Sequence, residues 1–519
     1  MVDRRGTVPA ALSSACARLI TDAVRARASP NPRGTRRTPV CGTHDDLSVL
    51  DGALSDGALV TDIKVMGTYR RDRADIVPAG MPRAVVRAAD LADVSATLSW
   101  ANRHGVPVVP RGAGTGLSGG ANAIDSCIVL SLERLTAIRE IDRVGQYAVA
   151  EAGVINADLG RAAAGAGLFY PPDPGSFEIC SIGGNLATNA GGMRCVKYGV
   201  TRDSALSLEV VLADGTVINT GSRTRKNVAG YDLTSLFIGS EGTLGVITAA
   251  TLRLRSAPAS GPLTVVASFP TLGAVGDAVA AIQTAGIVPS LLELMDNRTI
   301  NAVEDYRRLD LDRRSAALLI GQADGPAAEA EADGMIHACT ASGADFAIRA
   351  SDAAESDMLL EARRLAGTAL MATGPTVVED VGVPPGQLRA MLERVEQVSR
   401  DSGLPIGTCA HAGDGNLHPT MLLPDLTEKT IARALDAGRR LCDHAVELGG
   451  TITGEHGVGV LKRPWLRGQL SAEVLAVHHA IKAALDPRNV LNPGRSFLAP
   501  LWRINTWGAG CRRRPACLQ

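Results

Sequence analysis

A short strand that runs into a glycine-rich loop is the feature that most constrains the fold of this chain. Residues 106–110 read V-P-V-V-P, and residues 111–120 read R-G-A-G-T-G-L-S-G-G, in which five of ten residues are glycine. Glycine at this density opposes a packed helix or strand. It leaves backbone N–H groups open to a closely approaching ligand, usually an anion such as a diphosphate. The prolines predict that the strand lies at a sheet edge.

The loop resembles two nucleotide-binding motifs, the dinucleotide fingerprint and the P-loop, but it lacks features that each of them requires. Gly114-x-Gly116-x-x-Gly119 fits the dinucleotide fingerprint, with Glu133 near the place of its ribose acid. That fingerprint needs a helix of several turns before the next strand, but the apolar run 128–130 begins nine residues after Gly119. No Gly-Lys-Ser/Thr follows, which excludes a P-loop. A plain structural turn stays open as the alternative.

Two further glycine-rich stretches follow the first. Residues 171–192 read P-P-D-P-G-S-F-E-I-C-S-I-G-G-N-L-A-T-N-A-G-G, and residues 239–247 read G-S-E-G-T-L-G-V-I, a turn that feeds a strand. Small residues and exposed backbone dominate both stretches. Three such loops before residue 250 predict one extended cofactor held by one domain.

In this order, the three loops resemble the FAD domain of the vanillyl-alcohol-oxidase superfamily, and the resemblance extends over about residues 60–497. The closer likeness is to its 2-hydroxy-acid branch, which includes glycolate oxidase flavoprotein subunits and D-lactate dehydrogenases. It implies an α+β protein, with a PCMH-type FAD-binding domain of two subdomains and an α+β C-terminal substrate domain. Because Thr115 and no histidine stands in the first loop, FAD is expected to be non-covalent.

The resemblance implies a set of FAD-binding residues in and beside these loops. They are Arg111, Gly112, Ala113, Gly114, Thr115, Gly116, Ser118, Gly119, Pro172, Asp173, Ser176, Gly183, Gly184, Asn185, Thr188, Gly191, Gly192, Tyr198, Glu241, Gly242, Val246 and Ile247.

Residues 407–420 read G-T-C-A-H-A-G-D-G-N-L-H-P-T and place His411 and His418 seven positions apart. The glycines oppose a helix, and an odd spacing on one continuous strand puts two side chains on opposite faces. Asp414-Gly415 is a two-residue hairpin signal that would pair His411 directly with His418, on one face. This predicts two imidazoles within reach of one metal ion. Ordinary polar hairpin residues are the alternative.

The resemblance adds Glu455, in the segment T-I-T-G-E-H-G-V-G at 451–459, as the third ligand of a divalent metal. Two imidazoles and one carboxylate suit zinc, with Mn²⁺ and Fe²⁺ left open. His456 is implied as the base that faces the substrate, and Asn416 as a residue that helps place the substrate or the metal shell. A metal lowers the pKa of a coordinated hydroxyl, so that its proton can leave while a hydride passes to flavin N5.

Residues 361–364 read E-A-R-R and resemble the family segment that grips the substrate carboxylate, with Arg363 in that role and Arg364 left open. Val378 aligns where the D-2-hydroxyglutarate members have a lysine. This departure favours a small D-2-hydroxymonocarboxylate such as D-lactate or glycolate. The alternatives are a D-2-hydroxyglutarate dehydrogenase, a non-redox enzyme of the alkylglycerone-phosphate synthase type, a flavin-free zinc hydrolase and an inactive scaffold.

Composition limits the partners of the chain. A net charge of −1 gives no reason to expect nucleic acid or a membrane, and no stretch approaches the ~18 apolar residues of a transmembrane helix. The ten cysteines form no C-x-x-C, which predicts free thiols and a cytoplasmic protein. Because the sequence contains no motif for an internal iron–sulfur cluster or haem, electrons are expected to leave to a separate cytochrome, quinone, flavoprotein or iron–sulfur partner. A homodimer and peripheral association with a membrane partner stay open.

Patterning predicts the domain organisation. Residues 1–45 are expected to form a flexible extension, 46–258 the FAD-binding domain, 259–497 the substrate domain with the metal site, and 498–519 a flexible tail. In the second half, the strand-like runs 263–269 and 316–323 alternate with Ala-rich helices, of which 271–286 is amphipathic.

Overall fold

The computed structural model describes residues 45–224, 226–258 and 261–495. Residues 1–44 of the predicted extension and the whole predicted tail lie outside the described residues. The parts discussed below belong to one contact unit that begins at Leu50.

The α-helices are α1 Asp45–Asp51, α2 Ile63–Thr68, α3 Leu91–His104, α4 Asn156–Gly165, α5 Ile182–Thr188, α6 Cys195–Tyr198, α7 Thr201–Ser204, α8 Leu233–Phe237, α9 Leu272–Thr284, α10 Asn297–Tyr306, α11 Ala328–Ala341, α12 Ala353–Ala372, α13 Leu388–Ser402, α14 Glu428–Glu447, α15 Leu466–Gln469 and α16 Ala472–Leu485. Short 3₁₀ helices cover Pro385–Gln387 and Arg463–Trp465.

The strands are β1 Leu59–Val60, β2 Ala84–Arg87, β3 Val108–Arg111, β4 Ile128–Ser131, β5 Ile138–Asp142, β6 Tyr147–Glu151, β7 Leu168–Phe169, β8 Ala205–Val211, β9 Val217–Gly221, β10 Val246–Arg253, β11 Arg255–Ser256, β12 Leu263–Phe269, β13 Leu291–Asp296, β14 Ala317–Ala323, β15 Phe346–Arg349, β16 Thr376–Val378, β17 Val381–Gly382, β18 Ile406–His411 and β19 Asn416–Leu422.

The first sheet has the order β1-β2-β4-β3 and carries the first glycine loop. Asp90 caps α3 by accepting a hydrogen bond from Asp93 N–H, and Gly105 ends it at φ +67°, where glycine adopts the left-handed conformation without strain. β3 lies at the edge of the sheet, as its prolines predict. No helix lies between β3 and β4, which confirms that the dinucleotide fingerprint does not apply.

The second sheet is antiparallel, with the order β5-β6-β10-β8-β9. Its buried face packs on α4, α5 and α8, through side chains such as Leu159, Leu186 and Phe237. The second glycine stretch contributes α5, and the third leads directly into β10. All three glycine loops therefore emerge from the two small sheets of the N-terminal half.

The third sheet has the order β15-β12-β14-β13-β18-β19-β16, with β17 also paired to β19. One face packs on α9, α11, α13 and α14, and the other packs on α10 and α12. Along β13, Leu292 and Leu294 face the first set of helices, whereas Leu291 and Met295 face the second. Because side chains alternate along a strand, residue 293 must point toward α10 and α12.

The C-terminal segment returns to the N-terminal half, which carries the three glycine loops. Ile481 and Leu485 of α16 pack against the core of the second sheet, and Lys482 Nζ donates a hydrogen bond to Thr243 O at 2.7 Å. Leu491 bridges to Val108 beside the edge strand β3. In sequence this segment lies within the predicted substrate domain, but it packs on the half that is predicted to bind FAD.

None of the described helices is both long and apolar enough to cross a membrane.

Candidate active site

A cavity of about 610 Å³ lies between the three glycine loops and the third sheet. Most of the predicted FAD-binding residues line it, namely Arg111, Gly112, Ala113, Gly114, Thr115, Gly116, Ser118, Asp173, Ser176, Gly183, Gly184, Asn185, Thr188, Glu241, Gly242, Val246 and Ile247. A Cβ atom on Gly112 would lie 2.4 Å from Ser181 Oγ, so the first two loops require glycine for their close approach. The cavity volume is within the range of cofactor sites.

Five predicted FAD-binding residues do not line this cavity: Gly119, Pro172, Gly191, Gly192 and Tyr198. The Tyr198 hydroxyl instead donates to Asp324 Oδ2 at 2.5 Å. The three glycines pack against other residues of the protein. A Cβ atom would lie 2.6 Å from Val77 on Gly119, 2.5 Å from Glu455 on Gly191 and 2.5 Å from Asp173 on Gly192. The Pro172 carbonyl accepts a hydrogen bond from Asn156. These residues shape the loops rather than the cavity.

The histidine segment forms a hairpin, but the predicted register was wrong. His411 pairs with Asn416, and Cys409 pairs with His418. The turn is longer than predicted because Gly415 N–H bonds back to His411 O at 3.0 Å, and Gly413 N–H bonds to Leu292 O. Both histidines nevertheless share a face, since His411 lies two residues beyond Cys409, the direct partner of His418.

His411, His418 and Glu455 come together on that face. Glu455 Oε1 lies 3.4 Å from His411 Nε2 and 3.2 Å from His418 Nε2, and the two ring centroids are 5.0 Å apart. One ligand atom from each residue lies within 4.8 Å of the others. The second carboxylate oxygen, Glu455 Oε2, is buried without a hydrogen-bond partner among the described residues. The geometry therefore fits a divalent cation held by two imidazoles and one carboxylate.

Glu293 supports this cluster from β13, directly opposite His411. Its side chain is fully buried, and its oxygens lie 2.9 and 3.0 Å from His411 Nδ1. A carboxylate on Nδ1 leaves Nε2 to face Glu455, the arrangement commonly found around histidine ligands. Sequence reasoning missed Glu293. The available signal was a single acid within the apolar run 291–295.

Asp380 organises the loop that carries Glu455 and His456. Its Oδ2 accepts from both backbone N–H groups, at 3.0 and 2.9 Å, and from Thr453 Oγ1 at 2.6 Å. Asp380, His418 and His456 form a second group of ligand atoms that could hold a metal. Asp380 was also missed, because Glu379 precedes it and acidic pairs are usually solvent-exposed.

The charges of the cluster depend on one another. Burial lowers the pKa of His411, but the carboxylates of Glu293 and Glu455 outweigh burial and raise that pKa well above its usual value. Burial raises the pKa of Glu455, but the charge of His411 and hydrogen bonds to both imidazoles bring it well below its usual value.

His456 lines the cavity beside this cluster. Its ring stacks on His418 with centroids 4.8 Å apart and an interplanar angle of 11°. Burial lowers the pKa of His456 to about 4, so the imidazole is neutral at neutral pH. Asn416 is buried but does not line the cavity. Its Oδ1 lies against Gly454, where a Cβ atom would come within 2.4 Å.

Arg363 and Arg364 both line the cavity but differ in environment. Arg363 is buried, and its Nη2 pairs with Glu293 Oε2 at 2.7 Å, while its Nε has no hydrogen-bond partner among the described residues. Arg364 is exposed and lies over the Phe177 ring at 5.5 Å. Glu293 therefore contacts both the predicted carboxylate anchor and a predicted metal ligand.

Comparison with known families agrees with this geometry. Residues 82–221 match the family described as "FAD binding domain", and residues 262–496 match "FAD linked oxidases, C-terminal domain". A 4-ethylphenol oxidase from Gulosibacter chungangensis shares the fold, with a TM-score of 0.73 and 20% identity over 90% of this chain and 99% of that chain. The fold and cavity thus define a two-domain FAD-binding flavoprotein, as the sequence predicts.

Two curated relatives narrow the assignment. Glycolate oxidase subunit GlcD of Bacillus subtilis (strain 168) is 42% identical over 420 residues, covering 80% of this chain and 89% of the relative. A D-lactate dehydrogenase of Archaeoglobus fulgidus is 38% identical over 436 residues, covering 82% of this chain and 95% of the relative. This chain belongs to the FAD-linked oxidase family and is an FAD-dependent oxidoreductase.

We expect FAD to be released when the protein is precipitated with acid. The cavity lining contains His411, His418 and His456, but all three stand in the third-sheet half, and the first glycine loop offers no histidine for a covalent bond. The measurement is the flavin absorbance of the supernatant and the pellet after precipitation. A pellet that keeps its flavin would contradict non-covalent binding.

Proposed function

We propose that this chain oxidises a small D-2-hydroxy acid, of the D-lactate or glycolate type, to the 2-oxo acid and passes the electrons to an external acceptor. The observation that carries the proposal is one cavity whose wall joins the FAD loops to Arg363, His456 and the His411–His418–Glu455 cluster. The names of the relatives, glycolate oxidase subunit and D-lactate dehydrogenase, support the same substrate class.

The residues present fit two bound groups. The three glycine loops would hold FAD, and Nε2 of each cluster histidine together with Glu455 would hold a divalent cation, by preference zinc. When bound, FAD supplies a hydride acceptor and the cation supplies Lewis-acid polarisation of a substrate oxygen.

The chain's own residues bind and orient the substrate. The Nε of Arg363, which no described residue pairs, is a buried donor for the substrate carboxylate, and a buried guanidinium binds such a group strongly. His456, neutral and next to the cluster, is placed to take the hydroxyl proton. Glu293 pairs with both the Arg363 guanidinium and the His411 ring. It thereby fixes the position of the carboxylate anchor relative to the His411–His418–Glu455 cluster.

The acceptor is proposed to be a separate cytochrome, quinone, flavoprotein or iron–sulfur protein, since the sequence contains no cluster motif. The described cysteines Cys127, Cys180, Cys195, Cys339, Cys409 and Cys442 are free thiols, which supports a reducing, cytoplasmic environment.

We expect D-lactate or glycolate to exceed D-2-hydroxyglutarate in kcat/KM by tenfold or more. Val378 lines the cavity and aligns where the D-2-hydroxyglutarate members have a lysine, so a second carboxylate beside this apolar side chain would be buried without that cation, which is costly. The measurement is turnover of a 2-hydroxy-acid panel with an artificial dye as acceptor.

A preference for D-2-hydroxyglutarate would contradict this specificity and would indicate Arg364 as the cation that meets the second carboxylate. No turnover of any 2-hydroxy acid by FAD-loaded protein would contradict the proposed function itself.

A further inference from the structure

The side chain of Glu241 binds the other half of the protein. Its Oε1 accepts from Val458 N–H at 2.8 Å, and its Oε2 accepts from Gly459 N–H at 2.9 Å. Glu241 stands in the third glycine loop, and the two donors lie two and three residues after His456. Each carboxylate oxygen therefore holds one backbone group of residues 455–461, which are called the catalytic segment below.

The first glycine loop contacts the same segment. Ser118 O accepts from the backbone N–H groups of Val460 at 2.9 Å and Leu461 at 3.1 Å, and Ser118 Oγ donates to His456 O at 3.1 Å. Two loops that line the FAD cavity are thus bonded directly to residues 456–461.

The backbone at Glu241 indicates that its side chain is needed. Its φ is +52°, in the left-handed region that disfavours residues with a Cβ. The neighbouring Gly239 and Gly242 adopt the same region, at +77° and +67°, as glycine does at little cost. A strained residue that persists where glycine would be relaxed points to a role for its side chain.

The catalytic segment is shaped to receive this carboxylate. Gly459 has φ +52°, and a Cβ atom there would lie 2.2 Å from Ser118 O. A Cβ atom on Gly457 would lie 3.1 Å from the Glu241 carboxylate carbon. The sequence E-H-G-V-G at 455–459 therefore combines two site residues with the two glycines that let the FAD-side loops approach.

We propose that Glu241 is a positioning residue, which fixes Glu455 and His456 at the FAD side of the cavity instead of binding FAD. Each of its two oxygens accepts a backbone hydrogen bond from that segment, and through these two bonds the carboxylate would hold Glu455 and His456 in place. The inference rests on the proposed function for the roles of Glu455 and His456, whereas the contact itself does not.

Glu241→Gln tests the proposal with almost no change in shape. The amide replaces one acceptor oxygen with an NH₂ donor, which cannot accept from a backbone N–H, and it removes the charge. Loss of one charge-assisted hydrogen bond should increase opening of residues 453–461 by about 10- to 100-fold. Hydrogen exchange of the FAD-loaded protein should show this locally, with kcat reduced by a similar factor and the Kd of FAD within about threefold of the wild type.

Two matched variants complete the experiment. Glu151→Gln removes a carboxylate of the same half that pairs with Arg139, and it should leave exchange at 453–461 unchanged. Gly459→Ala acts from the opposite side, because its Cβ atom would lie against Ser118 and displace the Gly459 N–H group that bonds to Glu241. It should reproduce the local exchange increase, and it keeps the proposal testable if Glu241→Gln does not fold.

Unchanged exchange in both Glu241→Gln and Gly459→Ala would overturn the proposal. The proposal would also be overturned if the Kd of FAD rose at least tenfold in Glu241→Gln while hydrogen exchange at 453–461 stayed unchanged. Glu241 would then be a cofactor ligand. If wild-type protein oxidises no hydroxy acid, the proposed function fails, but the exchange results still decide whether Glu241 holds the segment.

Discussion

His418→Ala is expected to lose about 10³-fold in kcat while it keeps its FAD, because a cation at this site is proposed to stabilise transition-state charge by several kcal/mol. His418 Nε2 is 3.2 Å from Glu455 Oε1, at the centre of the proposed ligand set. The FAD loops belong to the other sheets, whereas His418 pairs with Asp380 and Glu455, which lie outside those loops. Flavin content and thermal stability should therefore remain near those of the wild type.

The comparison needs kcat, metal per flavin and flavin per chain for each variant. His444→Ala is the matched control, because His444 lies on α14, away from the cavity, and pairs with Glu447 at the surface. A chelator should reproduce the loss of turnover in the wild type, and added metal should reverse it. A metal-to-flavin ratio near zero in fully active enzyme would end the metal hypothesis and leave both histidines as hydrogen-bond donors to the substrate.

Arg363→Lys is the second large effect, with kcat/KM for small 2-hydroxy acids expected to fall by about 10²-fold. Arg363 pairs with buried Glu293 through Nη2, and its Nε has no hydrogen-bond partner in the part of the chain that the structure describes. A lysine can neutralise Glu293, which protects the fold from an unpaired buried charge. It is a point charge without a planar fork, however, and it cannot hold two carboxylates at once in this geometry.

Arg364→Lys is the control that separates the two adjacent arginines. Arg364 is exposed and lies over Phe177, so its replacement should change kcat/KM by less than about threefold, as expected for a solvated cation. Steady-state kinetics with D-lactate and a dye acceptor compare the two variants. A larger loss in Arg364→Lys than in Arg363→Lys would transfer the role of carboxylate anchor to Arg364.

Local patterns were sufficient where one segment determines its own conformation. Asp90 and Gly105 bound α3, the run 263–269 is β12 in full, and the prolines beside Val108 do mark an edge strand. These features depend on capping, alternation and backbone restriction within a few residues. The same reasoning excluded a dinucleotide fold, since the interval after Gly119 was too short for a crossover helix.

The hairpin shows where local reasoning ended. Asp414-Gly415 indicated a turn, and a turn is present, but the register depends on bonds that Gly413 and Gly415 make to distant strands. Gly413 N–H bonds to Leu292 O, and Gly415 O accepts from Val383 N–H. No property of residues 407–420 specifies these partners. The two histidines shared a face in both registers because the shift was an even number of residues.

The sequence by itself determined the family, because its glycine loops are dense local motifs in a fixed order, and through that resemblance it also predicted the two histidines and Glu455 as site residues. Only the tertiary structure decided which buried carboxylates contact these site residues and hold them in place. Glu293 reaches His411 across neighbouring strands, Asp380 holds the loop of Glu455, and Glu241 reaches Val458 from more than 200 residues away. Such contacts depend on the order of strands in the sheet and on how the two halves pack. The residues around a single acid in an apolar run do not specify which distant side chain it will contact.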